Sequence, residues 1–439
     1  MTCWRRALLL IGGLGLCSDV IGDPRSLPDT VSPADRKPCP GDDVIDVFVV
    51  INARGLVGDD DLAVWRRLEM IWHASEVLPD DKVILYDTRP PLPPVPVPLL
   101  EITAAHHPDS FFTTNITIPK FNFSDAPVVS HCLGVGVAYV RNGLSVASNC
   151  LYSRPDWMYA AAADLRGLRL HEVMLPGTHD AASYRDYEGK KTDDDLFTRY
   201  ASAQEETLLT QFFLGARYFD ARVAFYPSRA ERFWVSHGFV PFRPFSVVVD
   251  DLVAMLERTR EIVVFEIGGF EGAFDKHPEA YQELLDALLP RLERWLAPLP
   301  PGAHHQVLLG DLWASDRRLV LSWDADASGY DILWPRVPNT WHNDDTPEAL
   351  YDTLNRSMAD APRPELWALA GEMTDHPNDI IFDRLKSLRD MADAVNRNVS
   401  RMVRYDWWDL TNIVMADFFM STYNADTAVL VNWQRAHCR

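Results

Sequence analysis

Two histidines and one arginine of this chain have the residue types and the spacing for acid–base chemistry on a phosphate group. His179 follows residues 168–175, whose apolar pattern predicts a short strand. His237 also ends a strand-like run, and Arg222 lies within the apolar run Tyr218–Phe225. Histidine exchanges protons near neutral pH, and the forked donors of arginine fit phosphate oxygens. The three side chains therefore favour cleavage of a phosphodiester, provided that the fold brings them together.

Carboxylates accompany these side chains. Asp180 directly follows His179 in the sequence, and Asp220 lies close before Arg222. Taken singly, each of these residues has an ordinary structural role in a turn, an ion pair or a solvated strand end. Side chains at the carboxyl ends of barrel strands meet at one face, so the complete set favours a shared active site.

The second part of the chain, residues 153–439, alternates apolar strand patterns with amphipathic helix patterns. This alternation, without a glycine-rich phosphate loop, is typical of a β/α barrel rather than a dinucleotide-binding sheet. We therefore predict an α/β fold. Helices are predicted over residues 246–260, 277–296 and 380–396, and strands over residues 262–267, 318–323 and 413–419.

The first part, residues 40–152, consists of short β-branched runs separated by turns, which predicts a smaller antiparallel β-sandwich domain. The proline-rich residues 90–98 are expected to be extended. No catalytic cluster occurs here, so a role in lipid binding, partner binding or interdomain packing stays open. The predicted strands lie over residues 43–53, 82–86, 111–119, 133–140 and 144–151.

The N-terminus has the features of a secretory signal. Arg5 and Arg6 precede an apolar run over residues 7–16 that is too short to span a bilayer. We predict a signal peptide over residues 1–22, a leader over residues 23–39, and a secreted, extracellular protein.

Cysteine and asparagine positions agree with an oxidising, extracellular route. Beyond the signal remain four cysteines, an even set that allows three pairings. Cys132 and Cys150 flank a predicted hairpin turn and are the favoured pair, which leaves Cys39 with Cys438 by elimination. Glycosylation sites of the type Asn-x-Ser/Thr are predicted at Asn115, Asn122, Asn355 and Asn398.

The formal net charge of −21 argues against nucleic acid as a partner, because phosphate backbones bind basic surfaces. It also argues against general electrostatic adhesion to anionic lipid. Transient contact with a membrane surface therefore needs local groups, and residues 242–245 and 334–336 are the candidates. Either stretch is equally compatible with ordinary core or loop packing.

Several motifs occur in the order found in one known family. They are Leu-Pro-Gly-Thr-His-Asp at 175–180, Gly-Ala-Arg-Tyr-Phe-Asp-Ala-Arg at 215–222, Val-Ser-His-Gly at 235–238, Glu-Ile-Val-Val-Phe-Glu at 261–266, Leu-Trp-Pro at 333–335, Pro-Asn-Thr at 338–340 and Asn-Ile-Val-Met-Ala-Asp-Phe at 412–418. Over residues 155–439 the chain thus resembles the catalytic X region of phosphatidylinositol-specific phospholipase C. The likeness is greatest to the small X-domain-containing proteins and their bacterial relatives, and it implies an irregular TIM barrel.

The resemblance also implies roles for the residues that match. His179 is expected to act as the general base and His237 as the general acid, while Arg222 holds the phosphate. Asp417 is expected to orient His179 and to stabilise its charge, and Asp180 to support His237.

A further implication concerns metals. The calcium-dependent signalling phospholipases C carry an acidic residue in place of Arg222 and an asparagine in place of Asp180. A guanidinium there repels Ca²⁺ and can itself neutralise the phosphate, so no metal and no cofactor are expected. Asp220 is a weaker candidate for a hydrogen bond within the cluster, and Glu266 and Glu271 are expected to be nearby carboxylates rather than metal ligands.

Substrate contacts match the family less well. Trp323 and Asp324 occupy a strand end where the bacterial enzymes carry basic residues that help to hold inositol. Asp324 and Glu266 can accept hydrogen bonds from sugar hydroxyls, and Trp323 can stack on a ring. The head group therefore stays open between an inositol phospholipid, a glycosylated inositol lipid, a lysolipid and another phosphodiester.

The function that follows is a secreted phosphodiesterase that cleaves an inositol phospholipid. The resemblance implies attack by the inositol 2-hydroxyl, which would release diacylglycerol and a cyclic inositol phosphate at little entropic cost, because nucleophile and phosphate share one molecule. One alternative is a metal-dependent glycerophosphodiesterase-like barrel, which a chelator would inhibit. The other is a secreted binding protein with an inactive barrel, although binding alone needs no pair of proton carriers.

Overall fold

The computed structural model describes residues 44–57, 64–88, 97–184, 196–300, 306–327, 329–359, 361 and 363–438. The predicted signal peptide and leader lie outside the described residues, as do residues 90–96 of the proline-rich stretch. Cys39–Arg439 form one compact unit, so the division into two domains near residue 152 stays a prediction. Among the described residues, no helix is long and apolar enough to cross a bilayer.

Two antiparallel sheets occupy the first part of this unit. In the first sheet, β3 (Val64–His73) pairs with β1 (Asp46–Ile51), β2 (Leu56–Val57) and β6 (Phe111–Ile118). The second sheet has the order β5 (Val97–Thr103), β4 (Lys82–Asp87), β7 (His131–Arg141) and β8 (Leu144–Ser153). Strands β7 and β8 form the predicted hairpin, and its turn residues Asn142 and Gly143 have positive φ angles, as a tight hairpin turn requires.

Strand β1 of the first sheet is buried on both faces. Val47 and Val49 of β1 share an apolar core with Val83 of the second sheet, which makes the two sheets a sandwich. On the opposite face of β1, Phe48 stacks on Tyr423 with ring centroids 4.2 Å apart. Burial on two faces explains why β1 is apolar at every position after Asp46 rather than alternating. The predicted β-sandwich is thus confirmed.

A larger sheet forms the second part. Within the described part of the chain it contains nine strands, of which seven are parallel and two, β11 (Phe233–His237) and β12 (Val240–Pro244), extend antiparallel from β10. The parallel strands follow the order β15 (Leu333–Pro335), β14 (Leu319–Trp323), β13 (Val263–Gly272), β10 (Tyr218–Phe225), β9 (Leu175–Thr178), β17 (Ile413–Ala416) and β16 (Ala368–Ala370). A single parallel bridge from Asn339 to Ala368 connects β16 with the chain that follows β15. The sheet therefore curls, and the predicted α/β class with an irregular barrel is confirmed.

Helices cover this sheet. The described α-helices are α1 (Trp157–Ala160), α2 (Ala162–Leu165), α3 (Leu196–Arg199), α4 (Leu208–Phe213), α5 (Phe245–Arg258), α6 (Glu279–Leu292), α7 (Leu309–Ser315), α8 (Pro347–Met358), α9 (Pro377–Ile381), α10 (Leu388–Arg401) and α11 (Asn424–Cys438). The continuous helix predicted over residues 380–396 is wrong. Asp383 and Lys386 adopt left-handed backbone conformations that end α9, and the Ser387 hydroxyl then caps α10 by accepting from Asp390 N.

The strand before His179 begins later than its apolar pattern indicated. Leu170–Glu172 form a 3₁₀ turn, and β9 starts at Leu175. A side chain at Gly177 would meet Tyr218 Cδ1 at 3.0 Å and Val414 O at 3.2 Å. Glycine at this position therefore lets β9 lie between β10 and β17, which fixes where His179 leaves the sheet.

One predicted disulfide is confirmed. Cys132 and Cys150 are bonded across β7 and β8, with their Cα atoms 5.7 Å apart. Cys438 is also disulfide-bonded, but Cys39 lies outside the described residues, so that pairing stays a prediction. The four predicted glycosylation sites, Asn115, Asn122, Asn355 and Asn398, are all exposed, and their modification stays a prediction.

Candidate active site

The ends of neighbouring barrel strands bring the predicted catalytic side chains to one edge of the sheet. Thr178 lies level with Ala416, which places the next residue of each strand, His179 and Asp417, side by side. β10 continues past the end of β9, and β11 pairs with this overhang. Strands β9, β10, β11 and β17 thus bring six of the predicted residues to one place, either within a strand or directly after it: His179, Asp180, Asp220, Arg222, His237 and Asp417.

His179 is oriented by two carboxylates. Its Nδ1 lies 2.8 Å from Asp417 Oδ1. A carboxylate oxygen accepts hydrogen bonds, so Nδ1 donates to Asp417, and Nε2 is the ring nitrogen that faces the rest of the site. Nε2 lies 3.3 Å from Asp180 Oδ2. The contact with Asp417 is the one that the family resemblance implied.

His237 has its own orienting group. Its Nδ1 donates to the backbone oxygen of Ala201 at 2.9 Å, which directs Nε2 towards Asp180 Oδ2 at 3.6 Å. The two imidazole rings lie 6.4 Å apart and are nearly perpendicular. This spacing leaves room for one small group between them.

Arg222 completes the group of cations. Its Nη2 lies 3.2 Å from Asp180 Oδ2, and about a third of its side chain, 32%, is open to solvent. Three nitrogen atoms on different strands, from His179, His237 and Arg222, therefore lie within 3.6 Å of a single carboxylate oxygen. Asp180 was expected to support His237, and the structure places it among all three.

Asp220 holds the backbone at the centre of the site. Asp180 adopts a left-handed conformation with φ 41°, which aspartate tolerates better than most residues. The amide of Asp180 donates to Asp220 Oδ1, and the amide of Ala181 donates to Asp220 O at 2.8 Å. The hydrogen bond predicted for Asp220 is thus one to the backbone that carries Asp180.

The charges of the site raise the pKa of His179 and lower the pKa of Asp180. Burial alone would lower the pKa of His179, but the negative charges of Asp180, Glu372 and Asp417 hold that pKa well above 6.5. Burial would raise the pKa of Asp180, yet the neighbouring Arg222 and the two histidines lower it to about 2. At neutral pH Asp180 is therefore ionised, and His179 is stabilised as a cation.

Three further carboxyl groups stay protonated up to a higher pH than usual. Burial raises the pKa values of Asp220, Glu266 and Glu372 to about 7 in each case. Carboxyl groups with raised pKa values around a cleft are typical of catalytic sites.

The sequence interpretation missed Glu372. This residue follows β16, beside the strand that leads to Asp417, and only 3% of it is exposed. Neither of its carboxylate oxygens has a hydrogen-bond partner among the other described residues. β16 is only a three-residue strand, which is too short for its periodicity to reveal a strand end in the sequence.

Two positioning residues also have little signal in the sequence. Glu271, expected only to lie near the site, accepts from Ser236 Oγ at 2.5 Å and from Gly238 N at 3.2 Å, so it fixes the chain on both sides of His237. Gln204 comes from a stretch without periodicity and donates to the backbone oxygen of His179 at 2.8 Å.

The predicted substrate residues do not behave alike. Trp323 packs in the core against Phe270, with ring centroids 4.8 Å apart, which does not favour stacking on a substrate. Asp324 is partly exposed and pairs with Arg336 Nη1 at 3.1 Å. Glu266 lies beneath the same guanidinium, with Oε1 3.8 Å from Arg336 Nε. Arg336 thus supplies a cation close to the strand end where the sequence had indicated only an acid.

The arrangement also contains a set of potential metal ligands. One ligand atom each from His179, Asp180 and Asp220 lies within 4.8 Å of the others, which a metal ion could bridge. The guanidinium of Arg222 beside Asp180 disfavours a dication there. The expectation that no metal is used stays a prediction.

The two predicted membrane contacts lie partly inside the protein. Phe245, Trp334 and Arg243 are buried, so the alternative of ordinary core packing holds for them. Exposed aromatic rings occur elsewhere. Phe239 lies in the turn between β11 and β12 and contacts Phe197 at 5.1 Å between ring centroids. These two phenylalanines are 72% and 50% exposed.

Comparison with known proteins supports the resemblance found in the sequence. No family model matches the chain. PI-PLC X domain-containing protein 1 of Danio rerio is 22% identical over 307 residues, which cover 63% of this chain and 95% of the relative. Its human counterpart is 24% identical over 325 residues, covering 66% and 96%. A mutant of phosphatidylinositol-specific phospholipase C from Staphylococcus aureus covers 61% of this chain and 92% of its own at 17% identity and a TM-score of 0.47. The curated relatives of this chain are thus PI-PLC X domain-containing proteins, as its motifs predicted.

Proposed function

We propose that this protein is a phosphodiesterase of the phosphatidylinositol-specific phospholipase C type, which cleaves an inositol phospholipid by acid–base catalysis with two histidines. The observation that carries the proposal is the convergence of His179 Nε2, His237 Nε2 and Arg222 Nη2 on one anionic oxygen, at 3.3, 3.6 and 3.2 Å. An anionic phosphodiester needs the same three groups, namely a base, an acid and a cation.

The proposed reaction begins at His179. In its neutral form, Nε2 takes the proton of the inositol 2-hydroxyl, and Asp417 stabilises the resulting imidazolium through Nδ1. The 2-oxygen forms a bond to phosphorus while the bond from phosphorus to the glycerol oxygen breaks. His237 donates the Nε2 proton to that leaving oxygen, and Arg222 neutralises the charge on the phosphate. The products are diacylglycerol and a cyclic inositol phosphate, and proton transfer through the solvent resets the two rings.

A group of polar side chains beside the catalytic strands suits a hydroxyl-rich head group. Glu266 lies level with Asp220 in the register of β13 and β10. Arg336 and Asp324 form an ion pair next to it, and half of the Arg336 side chain is exposed. Donors and acceptors in this order can bind neighbouring sugar hydroxyls. We therefore assign the inositol ring to this side of the site, with Trp323 as core rather than as a stacking surface.

Lipid access is proposed at the exposed aromatic rings. Phe239 lies in the turn after His237, and Phe197 lies in α3, close before the carbonyl of Ala201 that orients His237. Exposed phenylalanines beside a cleft favour transient contact with a lipid surface. Secretion and glycosylation belong to the same proposal, and the described disulfides and the exposed asparagine sites support it.

The test is to incubate the purified protein with phosphatidylinositol vesicles in the presence of a chelator and to follow the phosphorus NMR spectrum. We expect a cyclic phosphate signal that disappears in the variant His179→Ala. Product that forms only after metal is added would instead favour the alternative of a metal-dependent barrel using His179, Asp180 and Asp220. Absence of product under both conditions would favour the inactive binding protein.

A further inference from the structure

One short segment of chain, residues 201–206, contacts both catalytic histidines. The backbone oxygen of Ala201 accepts from His237 Nδ1 at 2.9 Å. The side-chain amide of Gln204 donates to the backbone oxygen of His179 at 2.8 Å and to that of Ala416 at 2.9 Å. We call this stretch the bridging segment, because it sets the ring orientation of one histidine and the backbone of the other.

The bridging segment also holds a strained backbone position next to Asp417. Phe418 has a φ angle of 45°, which is unfavourable for a bulky side chain. Its amide donates to Ala203 O at 2.7 Å, and the amide of Phe419 donates to Gln204 Oε1 at 3.1 Å. Such a conformation persists only where the surroundings fix it, so the position of Asp417 also depends on this segment.

Two buried glutamates, Glu205 and Glu206, anchor the bridging segment. Both contact Arg66, which comes from the first antiparallel sheet. Glu206 pairs with Arg66 Nε, and Glu205 Oε1 lies 3.8 Å from Arg66 Nη2. Arg66 belongs to β3 and is only 4% exposed. Arg389 of α10 also pairs with Glu205 and lines, together with Arg66, a small cavity of about 10 Å³. That is room for roughly one water molecule among these charges.

A second buried charge of β3 reaches the site by another route. Glu69 accepts from Arg397 of α10 at 2.9 Å. The neighbouring residue of that helix, Asn396, donates to the backbone oxygen of Asp417 at 2.8 Å. Strand β3 of the first antiparallel sheet is therefore linked through Arg66 to the bridging segment, which holds the two histidines. It is linked through Glu69 to α10, which holds the backbone of Asp417.

We propose that the first antiparallel sheet is a positioning element of the active site, because its residue Arg66 acts through Glu205 and Glu206 on the bridging segment. Arg66 lies among buried ion pairs and is a positioning residue. Removing the Arg66 guanidinium leaves Glu206 buried without its cation. Either the bridging segment must then move, or Glu206 must take up a proton. The effect on turnover rests on the proposed function, whereas the effect on the orientation of the rings does not.

The experiment compares the variants Arg66→Met and Arg66→Lys with a matched control, Arg141→Met. Arg141 is a residue of the same sandwich whose guanidinium lies 2.7 Å from the buried Asp81, but its described partners all lie within the two antiparallel sheets and their connections. Histidine ¹⁵N resonances, assigned with the variants His179→Gln and His237→Gln, report the hydrogen bonds of the ring nitrogens. Turnover of phosphatidylinositol is measured in parallel.

In Arg66→Met we expect the Nδ1 resonance of His237 to move towards that of a ring without its hydrogen bond. We also expect kcat to fall by about tenfold or more with KM little changed, because misplaced catalytic groups lose rate rather than affinity. Arg66→Lys should restore part of the wild-type His237 resonance position and part of kcat. Arg141→Met should change neither the resonance nor kcat.

Unmoved ring resonances in a folded Arg66→Met protein would overturn the proposal, as would equal movement in Arg141→Met. Should Arg66→Met fail to fold, the double variant Arg66→Met/Glu206→Gln removes the unpaired buried charge and is measured in the same way. If the wild-type protein has no turnover, the proposed function fails, but the resonances still decide whether Arg66 positions the rings.

Discussion

At the residue scale, Asp417 and Asp180 both face His179 but contact different ring nitrogens. Asp417 lies 2.8 Å from Nδ1, and Asp180 lies 3.3 Å from Nε2. In the proposed reaction, Asp417 would therefore stabilise the imidazolium, while Asp180 occupies the position that a phosphate oxygen would share. The two carboxylates are thus expected to respond differently to replacement by an amide.

The variant Asp417→Asn should lower kcat by roughly 10²–10⁴-fold with little change in KM, since an amide neither fixes the tautomer nor stabilises the cation. The measurement is a steady-state comparison on phosphatidylinositol. Asp324→Asn, which changes a carboxylate outside the catalytic group, is the control and should mainly affect KM. Equal losses of kcat in the two variants would contradict the assigned role of Asp417.

The pH dependence of activity gives a second prediction. His179 acts as a base only when it is neutral, and neighbouring carboxylates hold its pKa well above 6.5. The acid limb of kcat/KM should therefore rise with pH through that raised value. In Asp417→Asn one of the negative charges is lost, so the limb should move to lower pH. A limb that does not move in this variant would mean that another group limits the rate.

Glu372 leads to a prediction about stability. Burial raises its pKa from 4.5 to about 7 in the folded protein, so the folded state binds more protons than the unfolded chain between these values. The free energy of unfolding should therefore fall as pH rises through this window. Glu372→Gln should remove this loss and increase the stability at pH 8 by on the order of 1–3 kcal/mol. Urea unfolding at pH 5 and pH 8 measures it, and Glu365→Gln, which alters an exposed carboxyl, should leave the slope unchanged.

Residue types and order were enough to select His179, His237 and Arg222, because each stands in or at the end of an apolar run, whereas Asp417 was selected through the family resemblance. The contributions of Glu372 and Gln204 come from segments that have no periodicity, and only the folded chain brings them to the histidines. Trp323 is an instructive opposite case. Its position at a strand end suggested a substrate contact, but its side chain faces the core. A strand-end position alone does not show which way a side chain points.

At the scale of elements, the strands that are buried on both faces were the easiest to predict. Tyr218–Phe225, which is buried at most of its positions, has the bounds that its apolar run indicated. β3 was missed because Arg66 and Glu69 interrupt its apolar pattern. Both charges are buried in ion pairs with groups far away in the sequence, and a local pattern contains no information about such partners.

The disulfide between β7 and β8 gives a prediction at this scale. It closes a loop with a sequence separation of 18, and cross-linking a loop of this size stabilises a protein by about 3 kcal/mol. Replacing both Cys132 and Cys150 by serine should lower the free energy of unfolding by about that amount. Turnover should be retained, because none of the catalytic side chains belongs to this hairpin. A large loss of turnover in the folded variant would show that the second sheet also positions the site.

At the scale of the whole molecule, the charge limits the way in which the protein can meet a lipid surface. A net charge of −21 opposes attraction to anionic lipid, so binding must depend on apolar contact and should vary little with salt. The exposed rings of Phe197 and Phe239 are the groups next to the site that can provide it. Productive encounter with a membrane would then orient the catalytic cleft towards the head groups.

The corresponding prediction is that Phe197→Ser and Phe239→Ser each lower kcat/KM on phosphatidylinositol vesicles by about tenfold, since losing the burial of one phenylalanine costs about 1–2 kcal/mol. Cleavage of a short-chain phosphatidylinositol that is monomeric in solution should change little, because the catalytic groups stay in place. Leu144→Ser is the matched control, as Leu144 is equally exposed, at 70%, but lies in the hairpin of the sandwich. A parallel loss on both substrates, or an equal loss in Leu144→Ser, would assign these rings to the packing of the bridging segment instead of to the membrane.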